Sequence, residues 1–409
     1  MERDLVFVGG GFRTTTFLAS APELLAQRID VFERSDTFGP GGFLDYAITS
    51  TSVGSRFLKE LSYHGPFAAL RDDPDVAEVA LADQPVRMER LAAALRRVGS
   101  TVADALGHER LHLGAEVTAL DIVDGGSAVV LSLADGGTVR CRHAVLATGR
   151  IERQHPELAP WQAKVLRSAQ VISRTGRDRL RRELEEISGG RIVVAGSSHS
   201  AMSAVRVLLE VLDEIRVLSP GYRAPTVDVL QRGPARLTYA SLAEAREQHV
   251  PGREPSAEPE TDVCPVTGIV FRDSGLRHES RSLYCALWDG EVPGVRLVRT
   301  PRIADAADLL DDAALVVQAL GYHGNVPEIR VDGLVVRQPD AAQRLTHTPD
   351  GAALIAGRAQ AALSVLRVEP TPHELRDHAV YGSGLYGRLA TRILARLGRP
   401  APVAEEATA

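Results

Sequence analysis

Residues 5–11 read Leu-Val-Phe-Val-Gly-Gly-Gly, an apolar strand that runs into a glycine turn. The segment from Phe12 to about Gln27 follows as a predicted helix. A dinucleotide pyrophosphate needs backbone at close range and N–H groups that point at it, and a glycine turn at a helix N-terminus supplies both. The stretch therefore predicts a nucleotide-binding unit in which Gly9 and Gly11 contact the pyrophosphate.

An acidic residue stands where such a unit needs one. The next strand, residues 29–33, ends in Glu33, 22 positions after Gly11. A carboxylate at this point accepts hydrogen bonds from an adenosine ribose. The third glycine of the G-x-G-x-x-G pattern is replaced by Thr14, so the packing of helix on strand is less certain there.

The same pattern occurs a second time. Residues 191–195 predict a strand, residues 196–200 read Gly-Ser-Ser-His-Ser, and a helix is predicted from about Ala201 to Leu212. Gly196, Ser198 and Ser200 are predicted to contact a second nucleotide. His199 either covers that nucleotide or is an ordinary polar loop residue.

Residues 215–218 are interpreted as the next strand of this second unit, and they end in Ser219 rather than in an acid. The absence of a carboxylate removes repulsion toward a 2'-phosphate, and Arg223 nearby is a candidate to pair with it. For a nicotinamide cofactor, which the family resemblance described below implies for this unit, NADPH is therefore favoured over NADH. The alternative for Arg223 is a solvated loop arginine.

Composition excludes several classes of protein. The 409 residues carry a net charge of -6, so a nucleic-acid binder is not expected, and two domains are the default at this length. No apolar stretch is long enough for a membrane span and no signal peptide is visible, which predicts a cytoplasmic protein. The three cysteines are widely spaced, so no disulfide framework or dithiol pair is expected. The histidines, including His347, His373 and His378, form no metal motif.

Two further segments carry a resemblance to a family. Residues 145–150, Val-Leu-Ala-Thr-Gly-Arg, resemble the "ATG" segment of flavin proteins with two dinucleotide-binding folds. The nearest relatives by motif are flavin monooxygenases of the FMO and amino-acid N-hydroxylase type. The resemblance implies that the first unit binds FAD and that Thr148 and Gly149 approach it. Other FAD contacts implied in this unit are Arg34, Gly41 and Gly42.

Residues 316–322 resemble the second crossing segment of that family, with Gly321 at the cofactor. The implied fold class is α/β, with two Rossmann-like domains and the NAD(P) domain inserted into the FAD domain. The FAD domain would comprise residues 1–154 and 323–409, and the NAD(P)H domain residues 155–322 with a flexible insertion near 251–266. Residues 351–358 resemble the closing FAD strand, with Gly357 and Arg358 near the cofactor.

Catalytic residues are not marked by any strong motif. Residues 47–52 resemble the flavin-proximal "TNTS" stretch of FMO-like enzymes but lack its Asn, so Ser50 and Ser52 would supply its contacts. The alternative is an ordinary Thr/Ser strand. His64 and His323 are further candidates, although neither has a partner that the sequence reveals.

The resemblance implies an FAD-dependent, NADPH-consuming monooxygenase that uses O2 to oxygenate a small nucleophilic metabolite, with N-hydroxylation as the leading reaction. One alternative is an FAD-dependent NAD(P)H oxidoreductase or dehydrogenase that inserts no oxygen. A second is a regulatory module that keeps a nucleotide for structure. The expected partners are a small-molecule substrate and O2, with neither nucleic acid nor membrane, and self-association into a homo-oligomer is left open.

Overall fold

The structure, a computed structural model, describes residues 2–265, 267–339, 344–366, 368 and 384–398. It divides into two compact units. The first comprises the described residues of Met1–Leu44, Ser52–Ile151 and His323–Ala409, and the second comprises Asp45–Thr51 and Glu152–Tyr322. His373, His378 and the tail from Pro400 lie outside the described residues.

The strands are, in chain order, β1 (Arg3–Val8), β2 (Ile29–Glu33), β3 (Thr49–Val53), β4 (Pro85–Arg87), β5 (Leu111–Leu113), β6 (Val117–Val123), β7 (Ala128–Leu133), β8 (Thr138–Leu146), β9 (Arg150–Ile151), β10 (Val165–Arg167), β11 (Arg191–Ala195), β12 (Thr226–Gln231), β13 (Val295–Arg299), β14 (Leu315–Gln318), β15 (His323–Gly324), β16 (Glu328–Val331), β17 (Leu334–Arg337), β18 (Thr346–His347), β19 (Ala352–Ile355) and β20 (Arg358–Val365).

The α-helices are α1 (Phe12–Ser20), α2 (Ser55–Leu58), α3 (Pro74–Leu81), α4 (Met88–Leu106), α5 (Ser168–Val171), α6 (Arg174–Glu186), α7 (His199–Leu218), α8 (Leu242–Gln248), α9 (Pro259–Asp262), α10 (His278–Trp288), α11 (Ala307–Asp312) and α12 (Gly384–Arg396). Short 3-10 helices lie at Pro22–Ala26, Gly41–Leu44, Gly65–Arg71, His108–Arg110, Asp124–Gly126, Pro156–Lys164 and Ile303–Ala306.

The first unit is built on a sheet in the order β17-β16-β6-β7-β8-β1-β2-β5, with β20 also paired to β8. Strand β1 runs parallel to both β2 and β8, and Val8 lies beside Phe32 and Leu146. The carboxyl ends of these three strands therefore meet at one edge. Loops that follow parallel strands at such an edge are where nucleotides bind in α/β folds.

The second unit has a parallel sheet in the order β10-β14-β11-β12-β13. Helix α7 packs Met202, Val205 and Leu208 into one hydrophobic cluster of this unit. A second hydrophobic cluster includes Leu158 and Leu310. Strand β11 is buried along nearly its whole length because both faces of the sheet are covered. This is the doubly wound arrangement that the sequence predicts.

A short segment of the N-terminal part of the chain packs with the second unit. The Asp45 carboxylate accepts hydrogen bonds from the Thr175 N–H and hydroxyl, and the Ala47 N–H donates to the Ile172 carbonyl at 2.8 Å. The predicted division had placed all of residues 1–154 together. Hydrogen bonds between residues far apart in the chain leave no pattern in the sequence. The sequence therefore does not show that Asp45–Thr51 packs with the second unit.

The segment near 251–266, predicted to be a flexible insertion, contains helix α9 and a buried side chain. The Glu254 carboxylate is only 1% exposed and accepts hydrogen bonds from the Val250 N–H and from Arg253. Residues 258–261 are exposed, so the segment lies at the surface and is held there through Glu254. Among the described residues, no helix is long and apolar enough to cross a bilayer.

Candidate cofactor-binding sites

The first glycine turn lies at the carboxyl end of β1 and leads into α1. Gly9 has a φ of +104°, and a Cβ placed on it would lie 2.5 Å from the Ala147 carbonyl oxygen. Gly11 precedes the helix as its N-cap without a side-chain cap, and a Cβ there would lie 3.7 Å from Gly41 Cα. Gly9 is therefore required by the fold, whereas Gly11 leaves the helix N-terminus open to a ligand.

Glu33 lies beside this turn, as the spacing predicts. Its carboxylate accepts hydrogen bonds from the Gly10 N–H at 2.7 Å and from the Ser35 N–H at 2.9 Å. Arg34 follows as an exposed residue at the same strand end. The acidic group that a ribose would contact is thus held in place by backbone donors.

The threonines that replace the expected small residues are bonded within the fold. Thr14 is fully buried and its hydroxyl donates to the Gly9 carbonyl across the turn. The Thr16 hydroxyl donates to the Phe12 carbonyl at 2.6 Å and lies 2.9 Å from the Tyr386 hydroxyl of α12. Each hydroxyl therefore has a partner, which offsets the cost of burying it.

We expect Thr14→Gly, which restores the usual glycine pattern, to destabilise the protein by about 2 kcal/mol. The substitution removes a buried methyl group and a hydrogen bond, and it places glycine within a helix. The measurement is the thermal unfolding midpoint of the cofactor-free protein. Thr14→Ser, which keeps the hydroxyl, should retain a good part of the lost stability, and an unchanged midpoint in Thr14→Gly would contradict this role.

Two features at the end of β8 fit a bound cofactor. The Thr148 hydroxyl is buried and has no hydrogen-bond partner among the described residues. Space is open beside Gly149 and Gly42, where an added Cβ would meet no atom within 4 Å. A buried hydroxyl without a partner, next to a glycine with open space, is suited to bond a ligand.

The second glycine turn, in the second unit, likewise connects the carboxyl end of a strand, β11, to a helix, α7. Gly196 has a φ of +122°, and a Cβ on it would lie 2.3 Å from the Ala319 carbonyl oxygen. Ser198 is the N-cap of α7 without a side-chain cap, and its hydroxyl lies 3.1 Å from that of Ser200. The helix N-terminus is therefore available to an anion.

His199 is the first residue of α7 rather than a turn residue. Its Nε2 lies 3.2 Å from the Gly275 carbonyl oxygen. Burial, together with the nearby Arg277 guanidinium, lowers the pKa of His199 to about 4. The ring is therefore neutral at physiological pH and donates to Gly275, so it adds no positive charge for a pyrophosphate.

The predicted strand at 215–218 is wrong. These residues form the last turn of α7, and Ser219 is its C-cap. The next strand is β12, whose Thr226 pairs with Arg191 and whose Leu230 pairs with Ala195. The long helix tolerates the β-branched residues because tertiary packing outweighs intrinsic preference.

This shift changes the candidate for a 2'-phosphate contact. Arg223 precedes β12, and its carbonyl accepts a hydrogen bond from the Gly189 N–H at the start of β11. It therefore lies at the opposite end of the sheet from Gly196, and Ser219 does not end a strand. The residue that follows the carboxyl end of β12 is Arg232, which is exposed. The signal that identifies this strand is the short run of residues 226–231, Thr-Val-Asp-Val-Leu-Gln, which is rich in β-branched and apolar residues.

Gly357 and Arg358 do not lie where the sequence places them. Residues 356 and 357 have φ values of +50° and +76° and form the tight turn between β19 and β20. The carboxyl end of β20 is Val365, beside Leu146. Because Arg358 starts that strand, it lies at the far end of the sheet from the glycine turn. The residues that follow Val368, from 369 to 383, lie outside the described residues.

The candidate catalytic residues are dispersed. Ser50 is 6% exposed and lines a small cleft with Met202 and Arg206 of α7, whereas Ser52 is half-buried within β3. His64 is exposed and precedes a 3-10 helix, and His323 is exposed in β15. The structure brings neither histidine to an acidic partner in the part of the chain that it describes.

Sequence reasoning missed a buried carboxylate at the first crossing between the units. Glu152 is 4% exposed, and its Oε2 accepts hydrogen bonds from the Ser168 hydroxyl at 2.9 Å and the Ala169 N–H at 3.0 Å. Burial raises its pKa above the usual range. Gly321 lies at the second crossing, where a Cβ would meet open space. No motif in the sequence marks Glu152.

Among the described residues, no three or more His, Cys, Asp or Glu side chains are grouped as metal ligands. Helix N-termini without side-chain caps are instead the feature that the two sites share, and the first site adds open space at Gly149 and the unpaired Thr148 hydroxyl. These features suit the phosphates and hydroxyls of a dinucleotide.

Solved structures with the same architecture cover nearly the whole chain. The ornithine N-hydroxylase of Kutzneria sp. 744, with reduced FAD, NADP+ and L-ornithine, is 19% identical with a TM-score of 0.58, over 97% of this chain and 99% of that one. The FAD-bound cadaverine monooxygenase DfoA from Erwinia amylovora is 13% identical with a TM-score of 0.60, over 100% and 99%. OTEMO, in complex with FAD and NADP, is 14% identical with a TM-score of 0.62, over 97% and 85%.

The fold is shared. This confirms the α/β fold class, and at the level of fold it confirms the resemblance that the motifs indicate. No known protein family and no curated protein matches the sequence. The function is therefore inferred from the geometry of the two sites.

Proposed function

We propose that this chain is an FAD-dependent, NADPH-consuming monooxygenase that N-hydroxylates a small amine. The observation that carries the proposal is the pair of strand-turn-helix units, in each of which a helix N-terminus without a side-chain cap follows the carboxyl end of a parallel strand. The fold supports it, because similar structures contain FAD, in two cases with NADP, and they include an ornithine N-hydroxylase and a cadaverine monooxygenase.

The first unit would hold FAD. Backbone N–H groups at the N-terminus of α1, reached past Gly11, would bind the pyrophosphate, and Glu33 would bind ribose hydroxyls. The Thr148 hydroxyl would gain the partner it lacks. Bound FAD would supply the redox chemistry, because it accepts a hydride from NADPH and reacts with O2.

The second unit would hold NADPH. Backbone N–H groups at the N-terminus of α7, which has no side-chain cap, would bind the pyrophosphate. Arg232 would pair with the 2'-phosphate, since it follows the carboxyl end of β12 where this contact is made in such folds. With no acidic residue at this strand end, the 2'-phosphate meets no repulsion.

The reaction converts an amine, O2, NADPH and a proton into a hydroxylamine, NADP+ and water. We expect purified protein to become yellow with FAD and to oxidise NADPH in air with an accepted amine. L-Ornithine, L-lysine and cadaverine are the first substrates to test, with a thioether and a ketone beside them. Under 18O2 the hydroxylamine product should carry one 18O atom, measured by mass spectrometry.

The alternatives give different results in the same experiment. A dehydrogenase would turn over without oxygen once an organic acceptor is supplied, and its product would contain no 18O. The absence of Asn from residues 47–52 favours the dehydrogenase alternative. A regulatory module would bind a nucleotide without turnover, and failure to bind FAD at all would reject the proposal.

A further inference from the structure

The second unit contains a cavity separate from both glycine turns. It lies in the long connection between β12 and β13 and has a volume of about 190 Å3. The residues that form it include Tyr239, Ala245, Arg246, His249, Ala257 and Phe271. Because a cavity of about 150 Å3 can hold benzene, this one has room for about eight non-hydrogen atoms of a ligand.

Two aromatic side chains form the inner wall of the cavity. Tyr239 is 2% exposed, and the Arg281 guanidinium lies 4.3 Å from its ring centroid. Phe271 has a φ of +46°, which is strained for a bulky residue and costs about 1–3 kcal/mol. Its N–H donates to the Asp262 carbonyl, and its own carbonyl accepts from the Gly275 N–H at 2.7 Å. The fold therefore keeps this ring in the wall despite the strain.

The Tyr239 hydroxyl is buried and has no hydrogen-bond partner among the described residues. The nearby Glu254 carboxylate accepts from the Val250 N–H at 2.7 Å and from Arg253 at 3.1 Å. Burial, and then Glu254, raises the pKa of Tyr239 to about 12, so the phenol remains a donor. A buried donor without a partner costs about 1–3 kcal/mol, and an acceptor oxygen on a ligand would remove that cost.

One guanidinium lies at the rim of the cavity. Arg246 lies in the last turn of α8, is exposed, and has no ion-pair partner among the described residues. His249 lines the same rim, with its Nε2 at 3.2 Å from the Glu254 carbonyl oxygen. A guanidinium with free donors beside an apolar cavity matches a carboxylate on an apolar body.

We propose that this cavity is a binding site for a small monocarboxylic acid with a ring or branched apolar body. The carboxylate pairs with Arg246 and accepts from the Tyr239 hydroxyl, and the apolar body packs on Phe271 and Ala257. This site is additional to the cofactor sites and does not depend on the proposed oxygenation.

The test uses benzoate as the probe and calorimetry on the full chain, with FAD and a saturating concentration of NADP+ present. We expect a dissociation constant on the order of 1 mM, and binding at least about tenfold weaker for benzyl alcohol, which lacks the charge. Arg246→Gln should weaken benzoate binding about tenfold. The matched control Arg223→Gln, an exposed arginine elsewhere in the same unit, should leave it unchanged.

Two further variants test the cavity itself. Tyr239→Phe should weaken benzoate binding and also raise the thermal midpoint of the benzoate-free protein, because it removes the unpaired hydroxyl. Ala257→Leu should fill the space and abolish binding while the protein stays folded. Absent binding, equal binding of benzyl alcohol, or an unchanged affinity in Arg246→Gln would overturn the proposal, as would a lower midpoint for Tyr239→Phe.

Discussion

Gly11→Ala is expected to lose FAD while the protein keeps its fold. The added methyl group would lie 3.7 Å from Gly41 Cα, an ordinary contact, so the cofactor-free protein should accept it. The same methyl group would stand between the helix N-terminus and the pyrophosphate. Overpacking of this kind costs about 1–3 kcal/mol, which corresponds to roughly a ten- to hundredfold weaker FAD affinity. The measurement is FAD affinity by fluorescence titration of the cofactor-free variant.

The neighbouring Gly9→Ala is the matched control. Its Cβ would lie 2.5 Å from the Ala147 carbonyl oxygen, and the φ of +104° disfavours any residue with a side chain. Stability should therefore fall by about 3 kcal/mol with or without FAD. If Gly11→Ala also unfolds the protein, or binds FAD as tightly as the unchanged protein, the assignment of Gly11 to the pyrophosphate fails.

Arg232→Ala is expected to raise the KM for NADPH by about tenfold or more and to leave the KM for NADH nearly unchanged. Only NADPH carries the 2'-phosphate, and a hydrogen bond to a charged group contributes about 1.5–3 kcal/mol. Steady-state kinetics of NADPH and NADH oxidation measure both constants. High salt should reduce the difference, because the side chain is exposed.

Arg223→Ala serves as the control, since Arg223 lies at the amino end of β12 rather than at its carboxyl end. Its KM values for both cofactors should match those of the unchanged protein. Equal effects of Arg232→Ala on NADPH and NADH would remove Arg232 from the 2'-phosphate site. A higher KM for NADPH alone in Arg223→Ala would contradict the position of Arg223 at the amino end of β12.

Much of the first site is readable in the sequence because its parts are close together in the chain. Gly9, Gly11 and Glu33 belong to one strand-turn-helix-strand unit, and backbone hydrogen bonds bring the glutamate to the turn. In the sequence, Thr14 departs from the third glycine of the pattern, which predicts looser packing of the helix on the strand. Its hydroxyl bonds the Gly9 carbonyl, a compensation that depends on exact distance and has no pattern in the sequence.

The errors arose where local preference and tertiary packing disagree. Residues 215–218 contain β-branched side chains typical of strands, yet they continue a helix whose buried face runs from Ala201 to Ile215. Arg358 follows a glycine that resembles a cofactor contact, yet the pair of positive φ values makes it the start of a hairpin strand. The strand that follows α7 is β12 and not residues 215–218. The residue after its carboxyl end is therefore Arg232 and not the predicted Arg223.

The sequence by itself determined the two strand-turn-helix units and the α/β class, because glycine spacing and apolar periodicity are local and repeat with the backbone geometry. Only the tertiary structure decided which end of each strand faces a ligand and which N-terminal segment packs with the second unit. It also placed the buried carboxyl of Glu152 and the unpaired hydroxyl of Tyr239. Burial and orientation depend on residues distant in the chain, and no local pattern records them.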